Sequence, residues 1–364
     1  MTGKIGAAPR ALADAGQSLW LDNITRALLD GGTLAGYING GLAVTGLTSN
    51  PTIFDNAISK STAYDADIRA LAAKGLGVEE LFFELAIADL ARAADLFRPV
   101  HERTAAVDGF VSLEVSPLLA YDTASTLAAA KSLHAKAGRA NLFIKIPGTP
   151  EGLPAIEAAI FAGVPVNVTL LFSTQQYLAC AEAYLRGLER RVAAGLSPDV
   201  RSVASLFISR WDRAVTGKVP AELNNKLGVA VGTQAYKAYR DLLESDRWQR
   251  LENLGARPQR LLYASTGVKD PAAPDTLYVS ALASPNTVNT MPEDTLLAFG
   301  DHGAVNGVLP RNGGDAEAVL AAFSKAGIDL AQLAATLQSE GAESFVGSWK
   351  HLLASIESKS QALK

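Results

Sequence analysis

Short apolar runs of strand length alternate along this chain with longer segments whose apolar residues recur at helical spacing. Most of the short runs end in turn-forming or polar residues, which is typical of strands that lead into loops. We predict eight strands, at residues 18–22, 43–47, 110–115, 142–146, 165–170, 203–207, 260–265 and 287–291. The helical pattern is clearest at 79–97, 124–137, 153–161, 174–194 and 233–247.

Strands that alternate with helices predict βαβ units and a parallel sheet. With 364 residues, the chain exceeds the roughly 250 that eight such units need. We therefore predict an α/β fold, a (β/α)8 TIM barrel with additional helices between strands 2 and 3 and after residue 316. The alternative is an open doubly wound sheet, but its usual glycine-rich turn is missing after the first strand. No linker composition interrupts the chain, so residues 1–364 are expected to form one domain.

Composition excludes several classes of function. The formal net charge of −4 provides no broad basic surface, so neither nucleic acid nor an anionic membrane is an expected partner. A single cysteine, Cys180, excludes an internal disulfide framework and an all-cysteine metal site, and the four histidines form no ligand-spaced pair. The sequence shows no signal-peptide pattern at residues 1–16 and no long apolar stretch, so we expect a cytoplasmic protein.

Polar residues mark the predicted carboxyl ends of the strands, where a parallel barrel carries its chemistry. In chain order they are Asp22, Asn50, Glu114, Lys145, Asn167, Thr169, Ser205, Arg210, Ser265, Lys269 and Asn289. Several have ordinary structural explanations. An Asn or Thr often caps a helix, and Asp22 is placed to cap the first helix. A Glu in a strand can face solvent, which is the alternative for Glu114, and Arg210 and Lys269 resemble surface charges.

Lys145 is harder to explain structurally, because it interrupts an apolar strand. Side-chain alternation places it on the same face as Phe143, opposite Leu142 and Ile144, and that face is the barrel interior. An unpaired ammonium there suffers a desolvation penalty that either neutralises it or requires a partner. A typical lysine pKa leaves about 0.04% neutral amine at pH 7, and a reduction of about three units makes that form abundant. A neutral amine attacks a ketone and forms a Schiff base, with Asp22 and Glu114 available to move protons.

Six motifs on the predicted strand ends resemble the transaldolase family, in its longer bacterial subfamily. They are LWLDNITR, TGLTSNPTIF, VSLEVSP, NLFIKIPGTPEGL, VNVTLLFS and SLFISRWDR, and NTVNTMP extends the likeness to Pro292. The resemblance implies an enzyme of the pentose phosphate pathway that needs no metal or other cofactor. It would transfer a dihydroxyacetone unit from sedoheptulose 7-phosphate to glyceraldehyde 3-phosphate, giving erythrose 4-phosphate and fructose 6-phosphate.

The resemblance also implies roles for individual residues. Lys145 would form the Schiff base, and Asp22 would remove the proton from the C4 hydroxyl of the donor. Glu114 and Thr169 would hold the water used in forming and dehydrating the carbinolamine. The remaining residues would bind substrate: the three-carbon unit by Asn50, Asn167 and Ser205, and the phosphate by Arg210.

One stretch departs from the family pattern. Better-known members have an arginine shortly after the seventh strand, whereas this chain reads Ser265-Thr266-Gly267-Val268-Lys269. We expect Lys269, with the hydroxyls of Ser265 and Thr266, to bind the phosphate in its place, since this part of a barrel often holds phosphate.

Two alternatives to the transferase remain open. One is a Schiff-base aldolase of the fructose-6-phosphate aldolase type, which releases the three-carbon unit instead of transferring it. The other is a non-catalytic barrel that binds sugar phosphates, with Lys145 merely salt-bridged to Glu114 or Asp22. The oligomeric state is not determined by the sequence, and a homodimer is compatible with it.

Overall fold

Eight parallel strands form the centre of the computed structural model, which describes residues 6–363. They are β1 Gln17–Asp22, β2 Gly46–Thr48, β3 Val111–Glu114, β4 Leu142–Pro147, β5 Val166–Leu171, β6 Ser202–Phe207, β7 Gln259–Ala264 and β8 Thr287–Met291. Their order in the sheet is β2-β1-β8-β7-β6-β5-β4-β3. The two end strands meet through the hydrogen bonds Leu47 N to Phe110 O and Gly109 N to Thr45 O. The predicted (β/α)8 barrel is confirmed.

Sixteen α-helices surround the barrel in the described residues. They are α1 Ala7–Asp14, α2 Arg26–Asp30, α3 Thr33–Asn39, α4 Pro51–Ser59, α5 Asp65–Ala72, α6 Val78–Arg103, α7 Thr123–Ala137, α8 Gly152–Phe161, α9 Thr174–Ala193, α10 Ser209–Val215, α11 Leu227–Leu243, α12 Asp246–Asn253, α13 Leu277–Ala281, α14 Glu293–His302, α15 Ala316–Lys325 and α16 Leu330–Ala362. The additional helices expected between strands 2 and 3 are α4 to α6, and those at the end of the chain are α15 and α16.

Several predicted elements have different bounds in the structure, and two of the differences have a clear local cause. The second strand begins at Gly46 rather than at residue 43, because Ala43 has a φ of 52° and the chain before Val44 is therefore not extended. The helix predicted at 233–247 is wrong as a single element. Leu227–Leu243 and Asp246–Asn253 are separate helices, and the Ser245 side chain starts the second by accepting a hydrogen bond from Trp248 N.

The amino-terminal end of the barrel is filled by aromatic rings and a buried ion pair. Phe143 stacks on Phe110 with ring centroids 4.2 Å apart. Arg260 Nη1 lies 3.2 Å from Asp108 Oδ1, and the same carboxylate accepts hydrogen bonds from Ser18 Oγ and Trp20 Nε1. These contacts fill the barrel axis near the amino-terminal ends of the strands.

The last long helix, α16, lies across part of that open end. Gln338 Nε2 donates hydrogen bonds to the carbonyl oxygens of Gly148 and Leu170, at 3.0 and 2.9 Å. Leu170 has a φ of 59°, and the β5–β6 register shifts between Val168 and Leu171. The carbonyl of Leu170 is therefore free of the regular ladder and anchors α16 instead. Farther along the helix, Trp349 packs edge-on against Phe82 with centroids 4.9 Å apart.

No single helix within residues 6–363 combines the length and apolar composition needed to span a membrane, although α15 and α16, bent by 91°, reach that composition as a pair. Residues 1–5 and 364 lie outside the described range. The two ends of the predicted domain, residues 1 and 364, therefore lie outside the described range. The same is true of the first five residues of the stretch 1–16, which was considered as a signal peptide.

Candidate active site

A cavity of about 190 Å³ opens at the carboxyl ends of the strands. The predicted site residues that line it are Asp22, Asn50, Lys145, Thr169, Ser205, Arg210, Ser265 and Lys269. Glu114 and Asn167 do not line the cavity but lie directly behind it, in contact with Lys145 and Ser205 respectively. The structure therefore brings together residues that are spread over almost 250 positions of the chain.

Strand register places the reactive groups side by side. In the parallel ladder, Glu114 of β3 is paired with Lys145 of β4, which is in turn paired with Asn167 of β5. Side chains at paired positions of neighbouring strands point to the same face, so all three project into the barrel. Next to β3 around the barrel, the same rule pairs Asp22 of β1 with Thr48 of β2.

Lys145 is only 5% exposed, and its ammonium nitrogen has two close partners. Nζ lies 3.1 Å from Glu114 Oε2 and donates a hydrogen bond of 2.9 Å to the carbonyl oxygen of Ser49. The prediction that this amine lies in the barrel interior is confirmed. Glu114 is also buried, so the alternative in which it faces solvent is wrong.

Both carboxyl groups near Lys145 are shifted toward their protonated forms. Burial raises the pKa of Glu114, a shift that the nearby charge of Lys145 opposes and the charge of Asp22 reinforces. Burial also raises the pKa of Asp22, against the charge of Lys145 and a hydrogen bond from Thr48. Carboxyl groups with raised pKa values in a cavity are suited to exchanging protons near neutral pH.

A chain of hydroxyl groups supports Asp22. Thr48 Oγ1 donates a 2.7 Å hydrogen bond to Asp22 Oδ1, and the oxygens of Thr48 and Thr290 are also 2.7 Å apart. Because Thr48 has one hydroxyl proton, Thr290 must donate to Thr48 when Thr48 donates to Asp22. The interpretation of Asp22 as a helix cap is wrong, since Thr25 caps α2. Our sequence analysis missed Thr48 and Thr290, although each is a polar residue within a strand-end motif.

The amide residues differ in how much of their hydrogen-bonding capacity is free. Asn50 Oδ1 accepts from Ile53 N and caps α4, as its ordinary explanation predicts, while the residue also lines the cavity. Asn167 donates to Ser112 Oγ and accepts from Ser205 Oγ. By contrast, Glu114 Oε1 and Thr169 Oγ1 are buried and have no hydrogen-bond partner among the described residues, while Glu114 Oε2 has only its ion pair with Lys145. The unused hydrogen-bonding capacity of Glu114 and Thr169 lies beside Lys145.

The other end of the cavity is cationic. The Arg210 guanidinium lies 5.1 Å from the ring centre of Phe207 and 5.9 Å from that of Phe345. Lys269 and Ser265, on the loop after β7, line the same cavity. Within residues 6–363, neither Arg210 nor Lys269 forms an ion pair with a carboxylate at 4.0 Å or less. Both cations are therefore available to an anionic group of a ligand.

Thr266 does not belong to this cationic end. Its hydroxyl donates toward Asn289 Oδ1 and the carbonyl oxygen of Thr290, and its side chain is fully buried. The expectation that Thr266 helps to bind phosphate is therefore wrong. Asn289, listed above among the strand-end residues, is likewise buried and does not line the cavity.

Comparison with known proteins identifies the family of this chain. The model of the family described as transaldolase/fructose-6-phosphate aldolase matches residues 19–356. The chain belongs to this family. A protein named transaldolase from Arthrobacter sp. (strain FB24) is 47% identical over 95% of both chains. One of the same name from Thermobifida fusca (strain YX) is 47% identical over 96% of this chain and 97% of its own. Transaldolase 2 of Streptomyces coelicolor is 43% identical over 97% of both.

Within this family member, the last helix contributes a wall of the site that the sequence analysis did not assign. Phe345 of α16 lines the cavity and faces Arg210. A glycine one turn earlier makes this approach feasible: a Cβ added at Gly341 would lie 3.0 Å from Arg210 Nη1 and 2.9 Å from Leu170 Cδ2.

The described residues contain no group of three or more His, Cys, Asp or Glu side chains that would hold a metal ion.

Gly341→Ala should destabilise the protein even though alanine is the better helix former. The added methyl group has to displace Leu170 or Arg210, and overpacking of this kind costs about 1–3 kcal/mol. Gly347→Ala is the matched control on the same helix, because its Cβ would meet no atom within 4 Å. Gly347→Ala should increase the free energy of unfolding by about 0.5–1 kcal/mol. Urea unfolding of both variants measures the difference, and equal stabilisation of both would contradict the close contact.

Proposed function

We propose that this protein is a transaldolase. It transfers a dihydroxyacetone unit from sedoheptulose 7-phosphate to glyceraldehyde 3-phosphate through a Schiff base on Lys145, giving erythrose 4-phosphate and fructose 6-phosphate. The observation that carries the proposal is a nearly buried lysine amine, in contact with one carboxylate and close to a second, at the open end of the barrel. Relatives named transaldolase that match almost the whole chain support the same activity.

The first stage forms the covalent bond. Lys145 transfers a proton to Glu114, 3.1 Å away, whose raised pKa makes it a better acceptor than an ordinary carboxylate. The neutral amine attacks the ketone carbon of the donor, and the carbonyl oxygen takes up a proton to give a carbinolamine. Loss of that oxygen as water leaves a protonated imine. Glu114 and Thr169, with hydrogen-bonding capacity to spare, are placed to hold the water that carries these protons.

The second stage breaks the carbon skeleton. Asp22 removes the proton of the C4 hydroxyl, the C3–C4 bond breaks, and its electron pair moves into the imine to form an enamine. The aldehyde product leaves, and the acceptor aldehyde takes its place. The enamine attacks the acceptor carbonyl while Asp22 returns the proton to the new hydroxyl. Hydrolysis of the imine then restores Lys145 and releases the ketose product.

The two ends of the cavity correspond to the two ends of the substrate. Arg210, Lys269 and Ser265 bind the phosphate, while Lys145 receives the carbonyl at the opposite end. Asn50, Asn167 and Ser205 hydrogen-bond the hydroxyl groups of the three-carbon unit. Ser205 borders the cavity and can accept a hydrogen bond from the ligand while it donates to Asn167, whereas contact with Asn167 requires Ser205 to move aside.

Transfer is favoured over simple aldol cleavage because α16 covers part of the cavity. Phe345 places an apolar ring over the site, and restricted access of water protects the enamine from protonation until the acceptor arrives. The non-catalytic alternative correctly anticipates an ion pair between Lys145 and Glu114. It does not explain why that pair borders an open cavity that also contains Asp22.

Several broader expectations accompany this function. We propose phosphorylated sugars as the partners and the cytoplasm as the location, because charged sugar phosphates are retained and consumed there. We also propose that residues 1–364 form one domain, since the buried apolar residues from Ala8 to Ile356 make one continuous cluster. A homodimer remains a proposal that sedimentation analysis can test.

Reductive trapping tests the proposed chemistry directly. Borohydride added with fructose 6-phosphate should reduce the imine and attach the sugar-derived carbons irreversibly to Lys145, as found by intact mass and peptide mapping. Lys145→Ala should remain folded and gain no mass. Lys269→Gln is the control, since it leaves the nucleophile in place and should still be labelled at high sugar concentration. Wild-type protein that gains no mass, or labelling at another lysine, would refute the mechanism.

Lys269→Ala should raise KM for phosphorylated sugars by roughly ten- to a hundredfold, since a charge-assisted hydrogen bond contributes roughly 1.5–3 kcal/mol. The kcat value should change less, because Lys269 lies at the phosphate end of the cavity and the reacting carbons lie at the other. Steady-state kinetics with glyceraldehyde 3-phosphate and with unphosphorylated glyceraldehyde provide the comparison. An unchanged KM for the phosphorylated acceptor would exclude Lys269 from the site.

Thr48→Val should move the acid limb of the kcat/KM profile to higher pH. Asp22 must be ionised to act as a base, so activity falls as the pH drops through its pKa. The Thr48 hydrogen bond lowers the pKa of Asp22, so its removal should move the acid limb to higher pH. Thr48→Ser retains a hydroxyl and should restore the wild-type limb. Identical profiles for the valine and wild-type proteins would show that Thr48 has no influence on Asp22.

A further inference from the structure

A second cavity, of about 420 Å³, lies on the outer side of Arg210. One wall is α10 with the turn that follows it, which contributes Arg213, Thr216 and Lys218, and the opposite wall is α16. Arg210 lines this outer cavity as well as the cavity that contains Lys145. The guanidinium is therefore the boundary between an outer space and the candidate active site.

The outer cavity has an unbalanced positive charge. Arg210 and Arg213 are three residues apart on α10, so they lie on the same helix face. Burial and the charge of Arg213 lower the pKa of Arg210, and the charge of Glu340 opposes that shift. Within residues 6–363, Arg210, Arg213 and Lys218 form no ion pair at 4.0 Å or less.

The opposite wall leaves this charge largely uncompensated. Glu340 is the one carboxylate residue among those that line the outer cavity, against three cations. Thr216 and Ser344 add hydroxyl groups that can donate hydrogen bonds. Since the whole chain has a net charge of −4, a positive cluster at this position runs against the field of the molecule as a whole.

We propose that the outer cavity is a second anion-binding site, which takes the phosphate of a phosphorylated sugar before that phosphate reaches the inner site. The ligand class is a phosphate monoester dianion, and the inference rests on the transaldolase function proposed above. Arg213 and Lys218 bind the phosphate first. Arg210, which borders both cavities, then contacts it on both sides of the boundary. The site raises the effective concentration of phosphorylated substrates at the entrance.

The expected size of the effect follows from screening. Two exposed cations attract a dianion strongly at low ionic strength and lose most of that attraction at high salt. Neutralising both should therefore reduce capture of the dianion by roughly three- to tenfold at low salt. The capture of an uncharged ligand should not change, because these cations do not attract it.

The test compares two acceptors on the same enzyme. When donor cleavage precedes acceptor binding, kcat/KM for the acceptor does not depend on the donor. The ratio of kcat/KM for glyceraldehyde 3-phosphate to kcat/KM for glyceraldehyde therefore isolates the contribution of the acceptor's phosphate. The variant is Arg213→Gln with Lys218→Gln, measured in phosphate-free buffer at low and high sodium chloride. The matched control is Lys131→Gln with Arg250→Gln, which removes one lysine and one arginine, both exposed, from α7 and α12.

In the outer-cavity variant, the ratio should fall three- to tenfold at low salt and converge with wild type at high salt. The control variant should keep the wild-type ratio at both concentrations. An unchanged ratio in the outer-cavity variant would overturn the proposal, and so would a fall that is the same at every salt concentration. Inactive wild-type enzyme with either acceptor would instead refute the proposed function, so the two failures are distinguishable.

Discussion

The site depends on an ion pair between Lys145 and Glu114 that is almost completely removed from water. Taking an ammonium and a carboxylate out of water has a penalty of several kcal/mol for each ion, which their mutual attraction repays only when the geometry is good. Here the 3.1 Å contact and the hydrogen bond to the carbonyl of Ser49 supply that geometry. Such a pair adds little net stability, so its position at the end of a cavity is better explained by chemistry.

The rest of the molecule controls from which side a ligand can reach the Lys145–Glu114 ion pair. Aromatic rings and the buried Arg260–Asp108 pair fill the amino-terminal end of the barrel, and α16 narrows the other end. What remains is a cavity with amine and acid groups at one end and cations at the other. A phosphorylated ketose has the same polarity, with its carbonyl near one end and its phosphate at the other. The protein thus orients the substrate by charge as well as by shape.

Much of this could be predicted from local patterns. The alternation of strands and helices predicted the barrel, and alternation within one strand placed Lys145 inside it, because side-chain direction along a strand depends only on position. The errors have equally local causes. Ala43 adopts a left-handed conformation that no pattern revealed, Ser245 caps a helix inside an apparently continuous one, and Thr266 turns inward although its neighbour Ser265 lines the cavity.

By itself, the sequence determined the eight-stranded parallel barrel, the interior position of Lys145 and the set of strand-end residues, since these follow from periodicities within single elements. Only the tertiary structure decided which residues meet. Strand register paired Glu114 with Lys145 and Asp22 with Thr48, and the path of α16 brought Phe345 and Gly341 against Arg210. Contacts between distant elements depend on how the elements pack together, and no pattern within one element records that arrangement.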